Sequence, residues 1–252
     1  MILKNKKIGV WGYGLVGKSV ATFAHRHGAL VSIMDKLPIN KSSFHYYSEA
    51  DKLLFFEQHD YIVPSPGIDI TQDVPKIGKK LLTELDLFSY FFHKPIIAIT
   101  GSVGKTTITT LLASILNNYG IRAVTGGNIG TPCLNLIAQQ NNIDYAVLEV
   151  SSFQLEYCRS FAPDLAIITN FTPNHLDRHT TMASYRTAKL NILKYQNYKQ
   201  KGLVPRFLQK DLPPTHGTIS FFAETAMPTT ALPPITFTAN WVVFVRPKLA
   251  NI

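Results

Sequence analysis

Short apolar runs alternate with longer amphipathic stretches from residue 7 to about residue 195. Lys7–Trp11 (KIGVW) reads as a strand, and residues 15–27 carry apolar positions at helical spacing. Residues 30–35 and 60–64 read as further strands, the second running into Ser65-Pro66-Gly67-Ile68. The stretch ELDLFSYFF (84–92) leads to a strand at 95–100, and a helix is expected from Gly104 to about Tyr119. Strands at 144–149 and 164–169 and a helix over about 181–195 complete the series. Alternation of this kind predicts an α/β fold with parallel sheets joined by crossover helices. Glycine-rich strand-to-helix turns at 12–17 and 101–106 point to two nucleotide-type domains, 1–93 and 94–252. After about residue 198 the chain turns Pro- and Thr-rich, with short β-like pieces and no chemical motif, so 199–252 are left poorly assigned.

Composition narrows this picture a little. The chain has 252 residues, 46% of them hydrophobic and 16% charged, which excludes a disordered protein and allows one large or two ordinary domains. A formal net charge of +9 suits an anionic partner, although a basic balance alone is common. Its lysines and arginines are scattered with no aromatic-interleaved stripe, so no nucleic acid partner is expected. The two cysteines, Cys133 and Cys158, lack metal-ligand spacing and read as core thiols in a reducing compartment. The N-terminal apolar run breaks at Gly12 and Gly14, too short for a signal-peptide core, and no run is long enough to span a bilayer. A cytoplasmic protein with no membrane insertion is expected.

The strongest chemical signal is TGSVGKTT at 100–107. Gly101 and Gly104 let backbone N–H groups converge on phosphate oxygens, and the helix that follows presents its positive end to the same anion. Lys105 would reach the β- and γ-phosphates of ATP, and the Thr106 hydroxyl would enter a magnesium shell. Ile99 stands where the longer form of this loop has glycine, so the pattern is Gly-x-x-Gly-Lys-Thr. Glu149 closes the apolar strand DYAVLEV, at the end where open α/β sheets hold ligands; it reads as a magnesium ligand or as a solvated glutamate at a loop start. Upstream, Gly12-x-Gly14-x-x-Gly17 between strand and helix, with Asp35 ending the next strand, is a dinucleotide-type fingerprint. Alone it fits any diphosphate at a helix start, including that of NAD(P).

Taken together, the motifs resemble the Mur ligases. They occur in order as GYGLVGKS (12–19), VPSPGI (63–68), TELDLF (83–88), AITGSVGKTT (98–107), GGNIGTP (126–132), VLEVSSFQLE (147–156), TNFTPNHLDRH (169–179) and YRTAKLNIL (185–193). The resemblance is greatest to the branch that joins D-glutamate to UDP-N-acetylmuramoyl-L-alanine, and it covers residues 1 to about 195. It implies a Rossmann-like N-terminal domain that binds the UDP-sugar, followed by a P-loop-type parallel-sheet ATPase domain, apparently truncated. Gly14, Leu15, Val16, Gly17, Asp35, Lys36, Ser65, Pro66, Gly67, Asn128 and Ser151 fall where the family contacts the UDP-sugar. Gly101, Ser102, Val103, Gly104, Lys105, Thr106 and Thr107 would bind ATP. Thr106, Glu149, His175 and Lys189 would organise Mg2+, Lys189 after carbamylation; Lys105, His175 and Lys189 would be catalytic. From the residues alone Lys189 could equally be a surface lysine on an amphipathic helix. His179 is read as a bystander.

The implied activity is ATP-dependent C–N ligation in peptidoglycan precursor synthesis, through an acyl phosphate. Val103 replaces the family's usual asparagine and, being β-branched in a tight turn, is expected to loosen the cradle. The family's C-terminal amino-acid-binding domain is expected to be absent, with weak D-glutamate binding and little complete ligation by this chain. The alternatives are a non-catalytic fragment that binds UDP-sugar and ATP, and, from the first glycine turn alone, an NAD(P)-dependent dehydrogenase.

Overall fold

The computed structural model describes residues 2–36 and 43–222. Its first half runs β1 (Lys7–Trp11), α1 (Leu15–Arg26), β2 (Leu30–Met34), β3 (His45–Tyr47), α2 (Lys52–Gln58), β4 (Tyr61–Pro64), α3 (Val74–Ile77) and α4 (Glu84–Phe91). Its second half runs β5 (Ile96–Thr100), α5 (Lys105–Asn118), β6 (Ala123–Gly127), β7 (Tyr145–Glu149), α6 (Ser152–Glu156), β8 (Leu165–Ile168), α7 (Leu176–His179), α8 (Met182–Lys194), β9 (Lys201–Pro205) and β10 (Thr218–Phe222).

The strands form two sheets, β3-β2-β1-β4 and β10-β9-β8-β5-β7-β6. Every pairing between these strands is parallel. Strands covered on both faces should be apolar throughout, and β5 (IIAIT) is buried at every position. Helix α1 buries Val20, Ala21, Phe23 and Ala24 as one stripe. In each sheet the strand before a glycine turn has neighbours on both sides that come later in the chain: β1 between β2 and β4, β5 between β8 and β7. Those are the switch points at which open α/β sheets leave a crevice.

One hydrophobic cluster runs through both halves. It takes Val10 and Val20 from the first, Leu85 and Phe88 from α4, and Leu134, Leu148 and Leu155 from the second. Buried Asp86 ties the halves by hydrogen bonds: one carboxylate oxygen accepts from the Arg159 and Ser160 backbone N–H groups and the Ser160 hydroxyl, the other from Thr83. Thr83 in turn caps α4.

The expected strands and helices lie within a residue or so of these bounds. Strand β6 was not expected, nor were the three-residue β3 and the short α2, α3, α6 and α7. The poorly assigned stretch is ordered into β9 and β10 as far as Phe222, extending the second sheet. Residues 223–252, with most of the Pro- and Thr-rich segment, lie outside the described residues.

Candidate functional site

The first glycine turn leaves β1 and enters α1, whose N-cap, Gly14, has no side-chain cap and whose first turn has no acidic residue. The N–H groups at this helix start are therefore left for an anion. Around it lies a cleft of about 520 Å3, lined from the first half by Gly14, Leu15, Val16, Asp35, Lys36, Ser65, Pro66 and Gly67. Asn128 and Ser151 are among the residues that line it from the second half. Asp35 Oδ2 accepts from the Tyr13 N–H at 2.7 Å, and Ser65 Oγ donates to the Gly12 carbonyl at 3.0 Å, which braces the turn. Gly17 does not line this cleft. It packs under the turn, where a Cβ would stand 1.8 Å from the Gly12 carbonyl oxygen, so its role is close approach of helix and strand.

The second glycine turn follows β5. Gly101, at φ 148°, passes so close to Thr169 that a Cβ would meet its Oγ1 at 1.9 Å. Gly104 is left-handed and caps α5 with no side chain. Val103 is exposed, and its backbone is secured: Asn170 Oδ1 accepts its N–H at 3.0 Å, and its carbonyl accepts from Thr169 Oγ1 and Asn170 Nδ2. The loosening expected from a β-branched residue is offset by these bonds. Ser102 Oγ donates to the Thr172 carbonyl, accepts from the Thr172 N–H, and lies 3.1 Å from the Tyr185 hydroxyl, so this side chain holds the loop down. Lys105 Nζ folds back to donate to the carbonyls of Gly101 (3.0 Å) and Ser102 (3.2 Å).

Glu149 connects the phosphate loop to the cleft wall. Its carboxylate is buried and accepts from Thr106 Oγ1 of the loop (2.6 Å) and from Asn128 Nδ2 of the cleft (2.8 Å). The Asn128 N–H also donates to the Glu149 carbonyl at 2.8 Å. Lys189, only 1% exposed, donates to the Gly101 carbonyl at 2.9 Å and lies 4.7 Å from the centre of the Tyr185 ring. Burial, reinforced by Lys105, brings its amine down to about 7; Glu149 opposes this weakly. The surface-lysine alternative is thereby excluded.

His175 caps α7 from a left-handed conformation, with its ring 5.0 Å from Phe153 and 6.4 Å from Tyr185. Among the described residues no three or more His, Cys, Asp or Glu side chains are grouped to cage a metal. The hydroxyl of Thr106 and carboxylate of Glu149 suit Mg2+ that takes its remaining ligands from water and phosphate. Cys133 and Cys158 are buried free thiols, both pushed up by burial. No helix among the described residues is long and apolar enough to cross a membrane.

Sequence reasoning missed Phe153 and Gln154, which line the cleft from α6. His179, read from the sequence as a bystander, is buried, within 2.9 Å of Ser152 Oγ, and stacked on Phe153. Desolvation, then the nearby Arg178, keeps its pKa below the usual imidazole value. The signal available was its spacing from His175, four residues apart on one potential turn.

Residues 99–209 match the family described as the Mur ligase middle domain. A UDP-N-acetylmuramoylalanine–D-glutamate ligase of Lawsonia intracellularis is 37% identical over 203 residues, 75% of this chain and 46% of the relative. The ligase of the same description from Koribacter versatilis is 38% identical over 214 residues, again 46% of its length. The chain thus spans about half the length of the curated relatives it matches. Among solved structures, a UDP-N-acetylmuramate:L-alanyl-gamma-D-glutamyl-meso-diaminopimelate ligase from Neisseria meningitides superposes with a TM-score of 0.52 at 18% identity, covering 86% of this chain and 78% of that one. That likeness concerns the fold.

Proposed function

Residues 99–209 of this chain belong to the Mur ligase middle-domain family, and on that premise we propose that it activates the carboxylate of UDP-N-acetylmuramoyl-L-alanine with ATP for amide formation with D-glutamate, a step of peptidoglycan precursor synthesis. The observation that carries this reading is Glu149, held at once by Thr106 of the phosphate loop and Asn128 of the cleft. It links a nucleotide site to a second anion site, which a dehydrogenase would not need.

The diphosphate of the sugar nucleotide would lie at the start of α1, with Asp35 and Lys36 beside the nucleoside and Asn128 and Ser151 beside the muramoyl end. ATP phosphates would lie along the loop 101–107 and over the N–H groups at the start of α5, since those of Ser102 and Val103 are taken by Asn170. Lys105 would exchange its two loop carbonyls for phosphate oxygens, so its charge is already in place when the nucleotide arrives. The substrate carboxylate oxygen then attacks the γ-phosphorus, the bond to ADP breaks, and an acyl phosphate forms. The amine attacks the acyl carbon; the C–N bond forms, phosphate leaves, and the amine proton passes to solvent.

Attack of one anion on another needs positive charge, from Lys105 and from Mg2+, which when bound neutralises the phosphate oxygens. Thr106 and Glu149 would hold one ion, and His175 with carbamylated Lys189 a second. The low pKa of Lys189 supports this, since only a neutral amine adds to CO2, losing a proton as the carbamate forms.

Trapping with hydroxylamine tests the reading. With UDP-N-acetylmuramoyl-L-alanine and Mg-ATP, the chain should release ADP and form the sugar-nucleotide hydroxamate. Lys105→Ala should abolish both while leaving sugar-nucleotide binding intact. A folded chain that binds neither ATP nor the sugar nucleotide would overturn it.

A further inference from the structure

We infer that His179 is a positioning residue, which pins the strained turn that presents His175 and fixes that turn to the wall of the substrate cleft. The inference deepens the proposed function and rests on it only for the role of His175. Helix α7 is a single turn between two non-glycine residues with left-handed backbone, His175 (φ 53°) and Thr180 (φ 60°). Such a residue is strained and persists only where its surroundings over-determine it.

The surroundings converge on His179. Its N–H closes the turn on the His175 carbonyl at 3.0 Å. Its side chain is buried, and Nε2 lies 2.9 Å from Ser152 Oγ in the first turn of α6. One face of its ring stacks on Phe153 at 5.2 Å and 17°, and Tyr185 packs at 5.3 Å. Phe153 and Tyr185 are also the two aromatic neighbours of His175. The neighbouring Arg178 holds the same turn from outside, pairing with Glu156 at 3.3 Å and with Asp69 at 3.6 Å.

His179 therefore connects three things by direct contact: the backbone of His175, the aromatic pair against its ring, and the start of α6. Ser151, which lines the cleft, immediately precedes Ser152. A ring that only filled space could be replaced by phenylalanine. A positioning ring needs a polar atom toward Ser152, which glutamine can supply at the place of Nε2.

The test uses the whole chain labelled with 13C- and 15N-histidine, without ligand. The His175 ring signal, assigned by its loss in His175→Ala, should be sharp and displaced by the adjacent aromatic rings. In His179→Phe it should broaden and move toward the free-histidine position, and in His179→Gln it should stay near its wild-type position. Ser152→Ala, which removes only the hydroxyl, should move it in the same direction as the Phe variant and serves if that variant does not fold. In the presence of ATP, Mn2+ affinity should fall about tenfold with Phe and recover with Gln. A lowered unfolding midpoint with an unchanged His175 signal in the folded variants would overturn the inference, leaving a purely structural residue. Because the signal is read without ligand, a chain that fails to bind ATP would defeat the proposed function without touching this result.

Discussion

Lys189 and Glu84 are both buried, and burial moves them in opposite directions. Lys189 falls to about 7, so its reactive neutral form grows as pH rises through that value. With 13C-bicarbonate, a carbamate carbon signal should be strong at pH 8, weak at pH 6, and absent in Lys189→Ala. Glu84 opens α4 and faces residues 133–134; desolvation raises it to about 7 against opposition from the Leu134 and Cys133 N–H groups and Gln154. Its folded form therefore holds a proton that the unfolded form loses near pH 4.5, and the unfolded chain binds fewer protons in between. Stability contributed at this site should fall as pH rises from about 4.5 to about 7 and then level off, by about 3 kcal/mol. Glu84→Gln should remove that slope in denaturant titrations; an unchanged slope would assign it to other groups. The chemical residues were legible because their types are restricted by phosphate and metal chemistry. The burial of Glu84, Asp86 and His179 was not, since each is polar and owes its place to partners distant in sequence.

At the scale of elements, the long helices α1, α5 and α8 were legible from their periodicity whether or not a side chain caps them, whereas α6, capped by Ser151, spans only five residues and was not. Strand β6 ends in two glycines and β3 has only three residues, so neither carries a readable periodicity. Strand β9 (KGLVP) is interrupted by glycine and proline, and only its parallel pairing with β8 and β10 makes it a strand. Two substitutions probe how elements are held together. Gly17→Ala should gain about 1 kcal/mol from helix propensity alone, yet its Cβ falls 1.8 Å from a backbone oxygen, and that clash dominates. A thermal midpoint several degrees below wild type, with loss of sugar-nucleotide binding, is expected; a raised midpoint would show that the turn can yield. Asp86→Ala should cost about 2–4 kcal/mol, because it strands the Arg159 and Ser160 donors between the halves. A loss below 0.5 kcal/mol, on the order of a surface change, would contradict that account.

For the molecule as a whole, two parallel sheets turn the carboxyl ends of their strands toward a shared cleft. Residues as far apart as Gly14, Asp35, Ser65, Asn128 and Ser151 meet there. The motifs made most of that set legible in advance, whereas Phe153 and Gln154 entered only through the way α6 faces the first half. Calorimetric titration of the whole chain with UDP-N-acetylmuramoyl-L-alanine, set beside NAD, reads which diphosphate the cleft holds. One sugar nucleotide should bind per chain, more weakly in Asn128→Ala, with no heat from NAD. Binding of NAD with none of the sugar nucleotide would contradict the account.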